Sequence, residues 1–217
     1  MATMHHQIFK DAKHLFFLFF FGISIGMAQD IPKSPVKLAY PNGRNDAWQY
    51  IGIGGGGAMF YPAISPFNPD MAFLACDMGG GYVTYNGGRS WRMFNLSGQI
   101  HFYVFDPMDA NTVYANATGL FKSKDRGNTW TMIYPAQDKI AAIISKGDHG
   151  EAVIVPKDSV VRKVLALAID PANSNHLYAG ISTNATNALY ISEDGGANWR
   201  LDKKIDDDIK NIFIDPS

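Results

Sequence analysis

The octapeptide Ser123-Lys-Asp-Arg-Gly-Asn-Thr-Trp130 follows a pattern that occurs three times in this 217-residue chain. The pattern is Ser/Thr-x-Asp/Asn-x-Gly-x-Ser/Thr/Asn-Trp, and the other copies are Thr84-Tyr-Asn-Gly-Gly-Arg-Ser-Trp91 and Ser192-Glu-Asp-Gly-Gly-Ala-Asn-Trp199. A second marker, a Ser-Pro or Asp-Pro dipeptide, runs in phase with the pattern and contributes Pro66, Pro107, Pro171 and Pro216. These prolines are 41, 64 and 45 residues apart, and repetition at such intervals indicates several copies of one structural unit.

Short apolar runs between the copies have the composition of β-strands. They are rich in Val, Ile, Tyr and Phe and are bounded by Gly, Asn, Asp and Pro, as in residues 101–105, 112–115, 164–169 and 176–179. No longer stretch has a convincing helical period. Because four short strands in about 40 to 45 residues are typical of a propeller blade, the sequence predicts an all-β propeller of four-stranded antiparallel blades.

Each copy of the motif is interpreted as a tight hairpin with a mechanical role. Asp125 and Asp194 can accept hydrogen bonds from backbone N–H groups in the turn. Gly127 and Gly196 can adopt positive φ without steric cost. The three tryptophans are expected to fold back over the hairpins as apolar plugs. The motif residues assigned to this structural role are Asn86, Trp91, Asp125, Gly127, Trp130, Asp194, Gly196 and Trp199.

Residues 1–28 have the features of a secretory signal peptide. Lys10 and Lys13 precede an apolar run over residues 15–25, and small residues flank Met27 at the end, in Gly26-Met-Ala28. The run is shorter than the roughly 20 residues that span a bilayer, and an uncleaved membrane anchor is the alternative. The sequence therefore predicts a secreted or periplasmic protein without membrane association after cleavage.

The remaining chain divides into a linker and a partial propeller. Residues 29–46 carry three prolines and predict an extended linker into residues 47–217. The long interval between Pro107 and Pro171 indicates an insert over about residues 136–159, which could hold a short helix or another strand. A closed propeller of six to eight blades needs about 270 to 360 residues. We therefore expect about three blades and an N-terminal fragment of a larger protein.

Composition argues against several functional classes. Nineteen Lys and Arg face twenty Asp and Glu, so there is no basic excess to bind nucleic acid. The single cysteine, Cys76, excludes an intrachain disulfide and a cysteine-rich zinc site. The acidic run at residues 206–208 lacks the ligand spacing of a calcium site and predicts a polar turn. No metal or cofactor is expected, and the oligomeric state is not indicated.

The three motifs resemble the Asp-box (BNR) repeats of sialidases, sortilin-type receptors and several polysaccharide hydrolases. Two further segments resemble the start of the xyloglucan-hydrolysing endoglucanases, namely Trp48-Gln-Tyr-Ile-Gly-Ile-Gly-Gly-Gly-Gly57 and Leu74-Ala-Cys-Asp-Met-Gly-Gly-Gly-Tyr82. Cys76, Met78 and one additional glycine before Tyr82 depart from that family's pattern.

The resemblance implies a catalytic role for Asp77. In the endoglucanase family the aspartate of this turn is the base of an inverting reaction, which requires a second carboxyl group about 6.5–9.5 Å away as the acid. The resemblance places that acid in a second propeller, beyond residue 217. Blade topology puts Asp77 between the second and third strands, on the face opposite the motif hairpins. A turn residue that caps the hairpin backbone is the alternative.

The insert supplies two further candidate ligand-binding residues, Asp148 and His149. Side by side on a glycine-flanked loop, they could bind a sugar or assist proton transfer, and a solvated loop is the alternative. Sialidase chemistry is not expected, because most of the arginines adjoin the motif hairpins on the other face.

The sequence thus predicts a secreted Asp-box propeller that is part of a glycoside hydrolase. The predicted mechanism is an inverting, two-carboxylate hydrolysis of a polysaccharide, which is also the expected partner. The alternative is a non-catalytic propeller that binds a glycan or a peptide, as sortilin-like or assembly-factor-like proteins do.

Overall fold

The computed structural model describes residues 57–147 and 151–215, which form three antiparallel sheets of four strands and one smaller sheet of two. In each four-stranded sheet, consecutive strands pair in chain order. The first sheet contains β1 (Met59–Ile64), β2 (Ala72–Cys76), β3 (Gly80–Thr84) and β4 (Arg92–Asn95). The second contains β5 (Phe102–Phe105), β6 (Val113–Asn116), β7 (Leu120–Ser123) and β8 (Thr131–Tyr134). The predicted signal peptide and linker lie outside the described residues.

The insert forms a β-hairpin of its own. A single 3-10 turn at Gln137–Lys139 leads into β9 (Ile140–Lys146), which pairs with β10 (Glu151–Pro156). Of the two structures considered for the insert, the strand is therefore the one that forms. The third four-stranded sheet follows, with β11 (Arg162–Asp170), β12 (Asn173–Thr183), β13 (Asn187–Ser192) and β14 (Arg200–Ile205).

The hydrophobic core lies between successive sheets. Between the first and second sheets the buried side chains include Phe73, Val83, Ile100 and Val113. A larger cluster joins the second and third sheets, with Tyr114, Leu120, Val164, Leu167, Leu177 and Ile181. Face-to-face packing of this kind buries one side of each sheet against its neighbour and supplies the main stabilising contribution.

Two motif tryptophans extend this core in a repeated way. The ring of Trp130, in the second sheet's hairpin, stacks on Phe94 of the first sheet at a centroid distance of 5.4 Å. The ring of Trp199 meets Tyr134 of the second sheet edge-on at 6.0 Å. Its indole N–H also donates to the carbonyl oxygen of Gly196 in its own hairpin. Each ring therefore covers its hairpin and also wedges against the preceding sheet, a contact that the sequence did not indicate.

Each motif hairpin is held by the same pattern of hydrogen bonds. In the second copy, one carboxylate oxygen of Asp125 accepts the Thr129 backbone N–H at 2.8 Å and the other accepts the Thr129 hydroxyl at 2.7 Å. The buried Ser123 hydroxyl oxygen accepts the N–H of Gly127 at 2.7 Å. The same bonds recur around Asp194 in the third copy, where Asn198 replaces the threonine.

The motif glycines satisfy two requirements at once. Gly127 and Gly196 have φ of +84° and +96°, as the turn interpretation predicted. A Cβ atom at Gly127 would also lie 2.7 Å from the ring of Phe73, and one at Gly196 would lie 2.5 Å from Ile133. Both contacts cross to the preceding sheet, so the glycines also allow adjacent sheets to approach closely.

All described residues belong to one compact unit, Gln49–Ser217. Beyond β14, the acidic run at residues 206–208 begins with a bend, and no further strand is assigned up to residue 215. No helix within residues 57–147 and 151–215 has the length and apolar character needed to cross a membrane.

Candidate functional site

Because consecutive strands in each four-stranded sheet are antiparallel, the connections between them alternate between two opposite ends of the sheet. Connections between second and third strands, and those that lead to the next sheet, share one end, which we call the upper face. Connections between first and second strands, and the motif hairpins between third and fourth strands, share the other end, the lower face. Asp77 joins β2 to β3 and therefore lies on the upper face, opposite the motif hairpins.

Asp77 is half-buried and is held by its neighbours through one carboxylate oxygen. Oδ1 accepts the backbone N–H of Ala58 at 3.0 Å. The thiol of the buried Cys76 donates to the same oxygen across 3.6 Å. The backbone N–H of Asp77 in turn donates to the carbonyl oxygen of Ala58. These contacts fix the carboxylate against the segment that precedes β1.

Gly57 packs directly on this carboxylate. A Cβ atom at position 57 would lie 2.6 Å from Asp77 Oδ1 and 3.0 Å from Cys76 Sγ, and the glycine has φ of +97°. Any side chain there would therefore strain the backbone and displace the aspartate. Gly57, the last glycine of the run at residues 54–57, is therefore needed to keep Asp77 in this position. Residues 54–56 lie outside the described part of the chain.

The second glycine run, Gly79-Gly-Gly81, is only partly a turn. Gly79 has φ of +80° and closes the β2–β3 connection, whereas Gly80 and Gly81 lie within β3. A Cβ atom at Gly81 would approach the hydroxyl of Tyr103 to 2.8 Å. That hydroxyl donates to the carbonyl oxygen of Leu74 in the first sheet. Gly79 therefore belongs to the turn, whereas Gly81 permits close packing of the first sheet on the second.

A cleft of about 620 Å³ opens on the same face, between the second and third sheets. The β9–β10 hairpin covers it. The backbone N–H of Ala152 in this hairpin donates to the carbonyl oxygen of Ser97, in the connection from the first to the second sheet, at 2.8 Å. The hydroxyl of Thr118 donates to the same carbonyl. The polar and aromatic side chains in the lining include Tyr61, His101, Asn116, Lys139, Glu151, Arg162 and Lys163.

The charged groups of the cleft are largely paired. The guanidinium of Arg162 forms two hydrogen bonds with the Asp158 carboxylate, at 2.7 and 3.1 Å, which lower the pKa of Asp158 to about 2. Lys139 lies 3.5 Å from Asp138. Burial, and then the positive charge of Lys163, lower the pKa of His101, while Glu151 opposes the shift.

The structure separates the predicted site residues. Among the described residues that line the cleft, Asp77 is not present, and the motif residues lie on the lower face. Asp148 and His149 lie outside the described residues. Sequence reasoning missed Tyr61 and His101, which no motif marks. The described part of the chain contains no cluster of His, Cys, Asp and Glu able to hold a metal ion.

Comparison with known proteins points to xyloglucanases. Xyloglucanase Xgh74A of Acetivibrio thermocellus is 28% identical over 173 residues, which cover 70% of this chain and 18% of that protein. A xyloglucanase of Hypocrea jecorina is 29% identical over 176 residues, covering 70% and 19% respectively. The chain therefore spans about a fifth of the length of these relatives. No family model matches it.

A solved structure is similar in fold. The crystal structure of an ancestral GH74 enzyme superposes with a TM-score of 0.52 and 19% identity, over 75% of this chain and 20% of that one. With its three four-stranded antiparallel sheets, the chain has the all-β fold of the GH74 propeller enzymes, and its curated relatives are GH74 xyloglucanases.

Proposed function

We propose that this chain is part of a secreted β-propeller glycoside hydrolase that cleaves a polysaccharide with inversion. The observation that carries the proposal is the similarity to two xyloglucanases over 70% of the chain. Asp77 is proposed as the catalytic base, and the three motif hairpins are proposed as structural Asp boxes.

The local geometry of Asp77 supports a base. Among the described residues, those that hydrogen-bond to its carboxylate, Ala58 and Cys76, both use Oδ1. We therefore assign proton abstraction to Oδ2. In an inverting reaction, Oδ2 would take a proton from the water that attacks the anomeric carbon, while a carboxylic acid protonates the leaving oxygen.

The acid is proposed to come from a second propeller of the same enzyme. An inverting pair is separated by about 6.5–9.5 Å, so that the attacking water fits between base and sugar. The resemblance implies that the acid lies outside residues 1–217. The functional assay therefore uses the complete gene product that carries this chain.

The decisive experiment is hydrolysis of xyloglucan by the parent and by Asp77→Asn, read as new reducing ends. The amide keeps the shape of the side chain and removes its basicity, so we expect turnover to fall by roughly 10²-fold or more. Substrate affinity should change little, because the amide can still hydrogen-bond. NMR of the first product should show an inverted anomeric centre.

A non-catalytic role has one observation in its favour. The bond from the Ala58 N–H to Asp77 is also what a turn-capping aspartate would make. If Asp77→Asn turns over xyloglucan at near-parental rate, the catalytic assignment is wrong. A propeller that only binds a glycan or peptide is then the better description.

Secretion is part of the same proposal and has its own test. Cleavage after Ala28 would give a mature chain that begins at Gln29. N-terminal sequencing of protein collected outside the cytoplasm should read from that residue, and material that still begins at Met1 would contradict a cleaved signal peptide.

A further inference from the structure

The cleft beneath the β9–β10 hairpin has the dimensions of a ligand site, and the proposed catalytic step does not use it. Its volume of about 620 Å³ falls within the range of roughly 300–1,000 Å³ that is typical of small-ligand sites. Its walls come from separate parts of the chain: Tyr61 in β1, the connection from the first to the second sheet, the β6–β7 turn, the end of β8 with the turn after it, and the hairpin with the segment that follows it.

Tyr61 supplies an exposed aromatic surface in the lining of this cleft. It is 46% exposed and has φ of +50°, in the part of β1 where the register with β2 shifts. An aromatic residue rarely adopts this left-handed backbone conformation, and such residues concentrate at ligand sites. The ring of His101 supports the tyrosine ring edge-on, at a centroid distance of 6.2 Å.

The charges of the cleft point to an uncharged ligand. The two oxygens of Asp158 neutralise Arg162, and Asp138 lies beside Lys139. Lys163 and Glu151 both act on His101, and their charges shift its pKa in opposite directions. Because carboxylates accompany the cations of the lining, the cleft offers little net field to attract an anion.

His101 offers hydrogen bonding that suits hydroxyl groups. Burial in the cleft and the charge of Lys163 both lower its pKa, so the imidazole is neutral at neutral pH. A neutral imidazole carries one donor and one acceptor nitrogen, so it can pair with a sugar hydroxyl, which both donates and accepts hydrogen bonds. An aromatic face beside such a group combines apolar contact with directional polar contact, which together recognise a pyranose ring.

We propose that this cleft binds a neutral oligosaccharide, with Tyr61 as the stacking surface and His101 as a hydrogen-bonding partner. The choice of a glycan as ligand class rests on the proposed function. The placement of the site rests on the cleft itself. The site lies on the same face as Asp77, so a polysaccharide bound there would run across the face that carries the proposed base.

The test is calorimetric titration of the 217-residue chain with a xyloglucan oligosaccharide. We expect binding by the parent, and a loss of about tenfold or more in affinity for Tyr61→Ala and for His101→Ala. The matched control is Phe67→Ala, which removes an aromatic residue of 47% exposure from the lower face. Its affinity should stay within about twofold of the parent.

Three results would overturn the proposal. The first is no binding of the oligosaccharide by the parent, and the second is parental affinity in both cleft variants. The third is preferential binding of an oligogalacturonide or an extended peptide, which would mean an acidic or a peptide ligand. Affinity should also be insensitive to added salt, because a neutral ligand releases no counterions, and a steep salt dependence would contradict the assignment.

A second measurement guards against variants that do not fold. In NMR spectra of the parent, the oligosaccharide should shift the amide signals of residues 97–101 and 151–154. Shifts confined to other regions would place the ligand elsewhere and refute the cleft.

Failure of this inference can be told apart from failure of the proposed function. Asp77→Asn should retain binding in the cleft while it loses turnover. Tyr61→Ala should lose affinity even if the complete gene product proves to have no hydrolytic activity. Turnover that depends on Asp77 without any effect of Tyr61→Ala on affinity would reject the cleft alone.

Discussion

The lower and upper faces of the three sheets are built from different kinds of connection. On the lower face, the motif hairpins repeat one arrangement, with a buried hydroxyl, an Asx side chain across the turn and a glycine at positive φ. On the upper face, the connections differ in length and content, from the short β2–β3 turn to the inserted β9–β10 hairpin.

From this difference we infer that the lower face mainly stabilises the fold and that the upper face carries the proposed ligand contacts. The lower hairpins bind adjacent sheets together, since Arg92 donates to the carbonyl oxygen of Gly127 and Lys122 to that of Gly195. The upper connections instead carry Asp77 and much of the cleft lining, although Ile100, in the connection from the first to the second sheet, also belongs to the core. We therefore expect lower-face substitutions to reduce stability, and upper-face substitutions to change binding or turnover.

The largest loss of stability is expected for Trp130→Ala. The ring lies against both Phe73 and Phe94 of the preceding sheet, so its removal leaves a gap between two sheets. Because the ring is partly exposed, the cost should be about 3 kcal/mol, the lower end of the range for aromatic truncations. Urea denaturation measures it. Met108→Ala, at a side chain that is 58% exposed, is the control and should cost less than about 0.5 kcal/mol.

A smaller loss is expected for Gly127→Ala, and its two causes can be separated. Gly127 has φ of +84° and a Cβ there would lie 2.7 Å from Phe73. Gly147 has φ of +80°, yet no heavy atom of the described residues lies within 4 Å of its Cβ position. Gly147→Ala should therefore cost only the backbone term, about 1 kcal/mol. Gly127→Ala should cost about 1 kcal/mol more, the lower end of the range for overpacked substitutions, because its Cβ would also press on Phe73. Equal unfolding free energies would show that sheet contact is not the reason for this glycine.

The smallest effect is the dependence of stability on pH through Asp125. The Thr129 backbone N–H, and then its hydroxyl, lower the pKa of Asp125 from 3.8 to about 2. Because the folded pKa lies below the unfolded value, this carboxylate stabilises the fold above pH 3.8, and the contribution disappears as the pH falls towards 2. The melting temperature of Asp125→Asn should therefore change less than that of the parent across this interval. Parallel curves would mean that Asp125 does not contribute.

Sequence alone predicts the lower-face hairpins well because the hydrogen bonds of each hairpin are local. The side chain and the N–H groups that it binds lie within four residues of each other, so a pattern such as Ser123 to Thr129 contains the whole interaction. The close approach of Gly127 to Phe73 could not be predicted, because that contact depends on how two sheets pack.

The upper face was predictable only in part. Asp77 could be placed because strand alternation fixes the end of the sheet on which each turn lies. The contact of Tyr61 with His101, and the effects of Glu151 and Lys163 on His101, join segments about 40 to 60 residues apart in the chain. No local sequence pattern indicates contacts between segments this far apart, so the cleft could be identified only from the folded structure.

The most direct test of the division between the two faces compares Asp77→Asn with Asp125→Asn in the complete gene product, with melting temperature and xyloglucan turnover measured on the same samples. Both changes replace a carboxylate with an amide in a turn. We predict that Asp77→Asn melts close to the parent and loses roughly 10²-fold or more in turnover. Asp125→Asn should melt lower and keep parental turnover at a temperature where it is folded. The reverse pattern, with turnover lost at Asp125 and stability lost at Asp77, would contradict the account.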